Sequence, residues 1–191
     1  DDASESINYF NCHDNLILYD KLQISLKNLD QIDDYVKLAI GMIFLSFGKV
    51  FLYEGNEFNH TKKNDRNSYN SPLFVNAINW KEKEDHLNIF NYTKDLIELR
   101  KSLKAFTKTV PTFIRNNLKF MDGLKDSMII YSLEYEGLKN LVVINVGQDG
   151  EIIPRRSIES FIGDKKLRID NIFNKEGKNT SKKIEADLYV D

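Results

Sequence analysis

Residues 7–15 read Ile7-Asn8-Tyr9-Phe10-Asn11-Cys12-His13-Asp14-Asn15, and residues 50–57 read Val50-Phe51-Leu52-Tyr53-Glu54-Gly55-Asn56-Glu57. Each opens as a short apolar run, 7–12 and 50–53, that reads as a buried strand and passes directly into polar residues. Between them, residues 31–47 carry Ile32, Tyr35, Val36, Ala39, Ile40, Ile43, Phe44 and Phe47 at helical spacing, with Gly48 as a stop. After the second run, residues 59–75 are polar and Asn-rich and read as a long loop. A second amphipathic helix is expected over 88–103, from Ile89, Phe90, Tyr92, Leu96, Ile97, Leu99 and Leu103, with Arg100 and Lys101 suiting its C-terminus. Strand, helix, strand, helix is the pattern of β/α units in a parallel sheet. Two parallel strands are too few for a stable α/β layer, so this half reads as incomplete.

The pattern changes near Val110-Pro111. A short helix is expected over 111–117, then strands at 118–121, 127–135 and 138–146. Glu136-Gly137 between the last two is a hairpin signal. Weaker strand signals lie at 151–153, 166–173 and 184–190, with a turn at 174–179. This half reads as a separate antiparallel β domain.

Among 191 residues, 27 basic and 29 acidic side chains leave a net charge of −2, so no overall field favours nucleic acid or an anionic membrane. The longest apolar run, Leu38 to Leu52, falls short of the roughly 20 residues of a membrane span. Cys12 is the single cysteine, which excludes an intrachain disulfide and a cysteine-based metal site and fits a reducing compartment. The chain opens Asp1-Asp2-Ala3 without Met and so reads as a processed or excised piece. No Gly-rich phosphate loop, Gly-x-Ser-x-Gly elbow or EF-hand loop occurs.

His13 and Asp14 sit just beyond the expected end of a strand, where parallel α/β folds bind ligands. A carboxylate beside an imidazole could bind sugar hydroxyls or stabilise positive charge. The same residues also suit a solvated polar turn. Glu54 and Glu57 could do acid–base work, but such pairs more often anchor loops. The stretch 61–72 is dense in hydrogen-bonding groups, as either a polyhydroxylated ligand or plain solvent would require. Lys62-Lys63 and Arg155-Arg156 read as surface charge, His60 and His86 as surface residues, Cys12 as a small buried side chain, and Trp80 as a core residue more readily than a sugar platform.

In order, Ile7-Asn8-Tyr9 through His13-Asp14-Asn15, Leu18-Tyr19-Asp20-Lys21-Leu22, Phe51 through Gly55-Asn56-Glu57-Phe58, Thr61-Lys62-Lys63, Asn67-Ser68-Tyr69-Asn70-Ser71-Pro72, Asn79-Trp80 and Leu96-Ile97-Glu98-Leu99-Arg100-Lys101 resemble the end of a type I pullulanase of the alpha-amylase superfamily. The match covers about residues 7–106; beyond 110 it is architectural. The chain departs from the family's usual residues at Ile17 (Thr), Tyr19 (Trp), Val50 (Pro), His60 (Arg), Asn64-Asp65-Arg66 (Gly-Asp-Glu) and Leu73 (Asp).

The resemblance implies an α/β plus all-β chain. Residues 1–108 would be the C-terminal part of a (β/α)8 TIM barrel, its last two β/α units, and 109–191 an antiparallel β-sandwich domain. It implies hydrolysis of α-1,6 branch linkages in pullulan, glycogen or limit dextrins with retention. That chemistry needs two carboxyls ~5–5.5 Å apart, and both would lie upstream of this chain. Asp14 would be a third carboxylate that stabilises the transition state, His13 would bond hydroxyls of the same sugar, and Asp65, Asn67 and Tyr69 would line a neighbouring subsite. No metal or organic cofactor is implied. Open barrel edges would favour self-association. A carbohydrate-binding or structural piece, or a relative such as an isoamylase or branching enzyme, are the alternatives.

Overall fold

Ile7–Asn8 (β1) and Lys49–Val50 (β2) pair in parallel, Ile7 opposite Lys49 and Asn8 opposite Val50. The computed structural model describes residues 2–163, 167–169, 180–182 and 188–190. Among these the chain divides into two compact units, Ala3–Phe106 and a second made of Asp2 with the residues from Thr107 onward.

Both expected strands of the first unit are shorter than their apolar runs. The ladder is Lys49 N to Ser6 O at 2.9 Å and Phe51 N to Asn8 O at 3.0 Å. Beyond it, side chains replace the ladder. Asn11 is buried, and its Oδ1 accepts from Leu18 N at 3.1 Å and Asn56 Nδ2 at 2.8 Å. Ile7, expected to be buried, is 58% exposed, and Tyr9 and Phe51 are exposed too.

Five α-helices and short turns follow this frame. Leu18–Ser25 (α1) was not anticipated, because one of its buried positions is Asp20 and the apolar spacing is broken there. Ile32–Phe44 (α2) buries Val36, Ala39, Ile40, Ile43 and Phe44. It stops three residues before the expected end. There the Arg100 guanidinium donates to the carbonyls of Phe44, Ser46 and Gly48, the last two at 2.8 and 2.9 Å. Arg100, in the last turn of its own helix, thus also serves the end of α2.

Leu73–Asn76 (α3) and Trp80–Asp85 (α4) interrupt the region after the long loop. Asn79 Oδ1 accepts from Lys81 N and starts α4. Trp80, expected in the core, is 67% exposed at the head of that helix. Leu87–Ser102 (α5) packs Ile89, Tyr92 and Leu96 inward. The Tyr92 hydroxyl donates to Lys37 O at 3.0 Å, and burial pushes its phenol pKa up. A Cβ on Gly41 would come within 2.8 Å of that hydroxyl, so the glycine permits the close approach of α2 and α5.

In the second unit Pro111–Asn117 (α6) leads into an antiparallel sheet of Leu118–Phe120 (β3), Met128–Tyr135 (β4) and Leu138–Asn145 (β5). Glu136 and Gly137 both take positive φ, 52° and 77°, as a two-residue hairpin turn demands. Glu151–Ile153 (β6), Leu167–Ile169 (β7), Thr180–Lys182 (β8) and Leu188–Val190 (β9) form two further antiparallel pairs, β6 with β9 and β7 with β8. Residues 166, 170–173 and 184–187 of the expected strands, and the whole turn 174–179, lie outside the described residues.

Arg155–Ile162 (α7) was also not anticipated. Ile158 and Ile162 are buried with Met128, Ile130 and Ile153. Pro154 before it and Gly163, φ 71°, after it are start and stop signals masked by the charged Arg155-Arg156 pair. Arg155 Nε bonds Glu159 Oε1 at 2.7 Å.

Candidate functional site

The loop after β1 turns at Asn15, whose left-handed φ of 64° is supported by its own Oδ1 accepting from Leu16 N at 2.8 Å. That turn leaves His13 and Asp14 in solvent, 81% and 82% exposed, with Nε2 and Oδ2 3.8 Å apart. Beneath them, the Asn11–Asn56 bond ties this loop to the one that follows β2. Two parallel strands therefore send their following loops out at one end, and those loops touch.

The second loop carries Asp65, Asn67 and Tyr69. Asp65 Oδ2 accepts from Ser71 Oγ at 2.5 Å and Oδ1 from Asn67 N at 2.9 Å. The Ser71 hydroxyl first, then the Asn67 amide, hold this carboxyl below its ordinary 3.8, so it is anionic at neutral pH. Asn67 is exposed and Tyr69 is 82% exposed, which leaves the phenol ring open on the surface. Among the described residues no hydrogen bond or ion pair joins these three to His13 or Asp14. The sequence places them in touching loops, and their own side chains stay apart.

Glu54 and Glu57 sit in different surroundings. Glu54 is exposed, whereas Glu57 is partly buried with Oε2 enclosed and without a hydrogen-bond partner. Asn56 Oδ1, Asn59 Oδ1 and His60 Nε2 share that condition. No group of three His, Cys, Asp or Glu side chains suited to a metal occurs among the described residues. No helix among them is long and apolar enough to cross a membrane.

Several residues dismissed as surface charge lie inside. His60 is 2% exposed, and its Nδ1 is 2.6 Å from Glu82 Oε2 on α4. His86 is half-buried at the head of α5 and lies 3.4 Å from Asn59 Nδ2. Lys62 is buried too. Its ammonium donates to Ser68 Oγ at 3.2 Å and lies 5.4 Å from the Tyr53 ring centre. Cys12, expected to be buried, is half-buried. The residue that sequence reasoning missed altogether is Asp20. It is fully buried, and its two oxygens accept from Thr61 Oγ1 at 2.5 Å, Lys62 N at 2.9 Å and Asn64 N at 3.3 Å. An ionisable residue in the middle of an apolar stretch was the available signal.

No family model matches the chain. The pullulanase of Bacillus subtilis (strain 168) is 33% identical over 150 residues, 75% of this chain and 21% of that protein. Among solved structures, pullulanase from Anoxybacillus sp. LM18-11 complexed with maltotetraose superposes with a TM-score of 0.83 at 30% identity, covering 99% of this chain and 27% of the other. Type I pullulanase from Bacillus subtilis strain 168 complexed with maltose gives the same TM-score at 24% identity, a likeness of fold, over 26% of its length. The chain therefore spans about a fifth to a quarter of the length of the relatives it matches. Sequence and backbone course together identify the chain as a relative of the pullulanases, a family of starch-debranching glycoside hydrolases.

Proposed function

We propose that this chain supplies one wall of a debranching active site, within a retaining hydrolase of α-1,6 linkages in pullulan, glycogen or limit dextrins. In this reading residues 1–108 are the last two β/α units of a (β/α)8 barrel, and 109–191 form an antiparallel β-sandwich. The nucleophile and the acid/base carboxyl belong to barrel strands outside these residues. Asp14 holds the hydroxyls of the distorted sugar and favours the oxocarbenium-like transition state, and His13 bonds the same sugar. Asp65, Asn67 and Tyr69 line the next subsite, where the open Tyr69 ring offers a stacking face.

One observation carries this reading. β1 and β2 are parallel, and the loops beyond them leave one end and are bonded through Asn11 and Asn56. An antiparallel pair would have sent them to opposite ends. The exposed Ile7, Tyr9 and Phe51 mark apolar surface that the rest of a barrel would cover. In isolation such surface favours self-association.

The test is Asp14→Ala in the full-length encoded protein. Its kcat/KM on pullulan is expected to fall by about 100-fold. The 191-residue chain alone is expected to release no reducing sugar. Full activity of the variant, or hydrolysis by the isolated chain, overturns the assignment.

A further inference from the structure

We infer that Asp20 is a positioning residue for the glucan subsite formed by Asp65, Asn67 and Tyr69. The inference rests on the subsite reading above and names what holds that subsite in place. Asp20 touches no position assigned to the sugar. It lies on α1, the helix that follows the His13–Asp14 loop, and is fully buried.

A buried carboxylate is tolerated only where hydrogen bonds replace its water. Here all three donors come from one short stretch of the opposite loop: the Thr61 hydroxyl and the backbone N–H groups of Lys62 and Asn64. The backbone in that stretch is unusual. Lys63 and Asn64 both adopt left-handed conformations, φ 59° and 61°, a region that Asn visits readily and Lys does not. The N–H groups of Lys62 and Asn64, two residues apart, converge on one carboxylate oxygen, so the turn forms an anion-binding nest that Asp20 fills. Thr61 Oγ1 also accepts from Lys63 N at 2.9 Å, which closes the turn.

The position of Asp65 follows from this nest. Asp65 N donates to Lys62 O at 3.1 Å, so the aspartate leaves directly from the anchored turn. Lys62 adds a second tie through Ser68, immediately before Tyr69. Without Asp20, the strained turn loses the group that its amides point at and relaxes toward ordinary backbone. Asp65, Asn67 and Tyr69 then shift together relative to the His13–Asp14 loop. Strained backbone persists where its surroundings over-determine it, and Asp20 is that determinant.

The experiment compares Asp20→Ala and Thr61→Val in the full-length encoded protein, with Thr61→Ser as the rescue. Thr61→Val removes one of the three donors and leaves the carboxylate solvated by two amides, so it keeps the test alive if Asp20→Ala does not fold. A contact that positions ground state and transition state alike shows in KM rather than kcat. KM for pullulan is expected to rise about tenfold in Asp20→Ala and about threefold in Thr61→Val, with kcat held within about twofold, and Thr61→Ser to restore the parent value. A purely structural role would lower the active fraction, hence kcat, and leave KM unchanged. That result overturns the inference. If Tyr69→Ala and Asp65→Ala also leave KM unchanged, the subsite reading itself fails. If those two raise KM and the anchor variants do not, only the role of Asp20 is lost.

Discussion

Both units have an apolar core, and they differ in the polar side chains buried beside it. In Ala3–Phe106 the buried side chains include Asn11, Asp20, Asn56, Asn59, His60, Lys62, Ser68 and Thr93, most of them bonded across loops. In the second unit the described interior is Met128, Ile130, Tyr131, Leu133, Val142, Ile153, Ile158 and Ile162, with Ser132 and Asn145 as its buried polar residues. Apolar packing is non-directional and tolerates small shifts. Hydrogen bonds demand particular distances and angles. The first unit therefore specifies where loops stand, and the second specifies that a sheet and a helix stay together. In the proposed reading those polar anchors surround the loop that carries Asp65, Asn67 and Tyr69.

The largest expected effect is on the polar side. Arg100→Ala strips three backbone carbonyls of one shared donor and removes a cation 5.9 Å from the Phe106 ring centre. A loss of about 4 kcal/mol is expected by chemical denaturation. A loss under about 1 kcal/mol would mean that water replaces the clamp and the contrast is overdrawn.

Ile158→Ala probes the apolar side, where a fully buried side chain sits among Met128, Ile130 and Ile153. About 3 kcal/mol should disappear from the unfolding of that unit, with KM for pullulan unchanged. A change in KM would show that packing in the second unit also shapes the site.

Asp65 sharpens the comparison through pH. Its folded pKa lies below its unfolded one, chiefly because of the Ser71 hydroxyl. The associated stability is thus complete above about 3.8 and is lost as pH falls through the folded value. In Ser71→Ala the carboxyl should titrate closer to 3.8, measured by side-chain carbon shifts in NMR. No movement would show that the Asn67 amide alone suffices.

The smallest effect concerns His13 and Asp14. Both are exposed and make no hydrogen bond among the described residues, so His13→Ala and Asp14→Ala should alter stability by less than about 0.5 kcal/mol. A larger loss would assign them a structural role.

Legibility in the sequence followed the same division. The β4–β5 hairpin was readable, because two apolar runs of equal length flank the short Glu136-Gly137 turn. α2 and α5 were readable from their apolar stripes, though the Arg100 clamp that ends α2 comes from 56 residues away and leaves no local trace. α1 stayed hidden because Asp20 interrupts its stripe, and α7 because two arginines open it. At the site, His13 and Asp14 stood out as polar residues after an apolar run. The buried roles of His60 and Lys62 did not, since a charged side chain announces solvent until its partner, Glu82 or Ser68, is placed beside it.

Gly55 shows what such an arrangement does to divergence over time. Its φ is 88°, its carbonyl accepts from Phe58 N and His60 N, and a Cβ there would sit 2.4 Å from the His60 Cβ. No single nucleotide change can exchange this glycine while the imidazole stays where it is. Any lineage that alters position 55 must first have rebuilt position 60, so the order of substitutions is constrained, and a scan of all variants should find Gly55 intolerant beside a permissive Glu54.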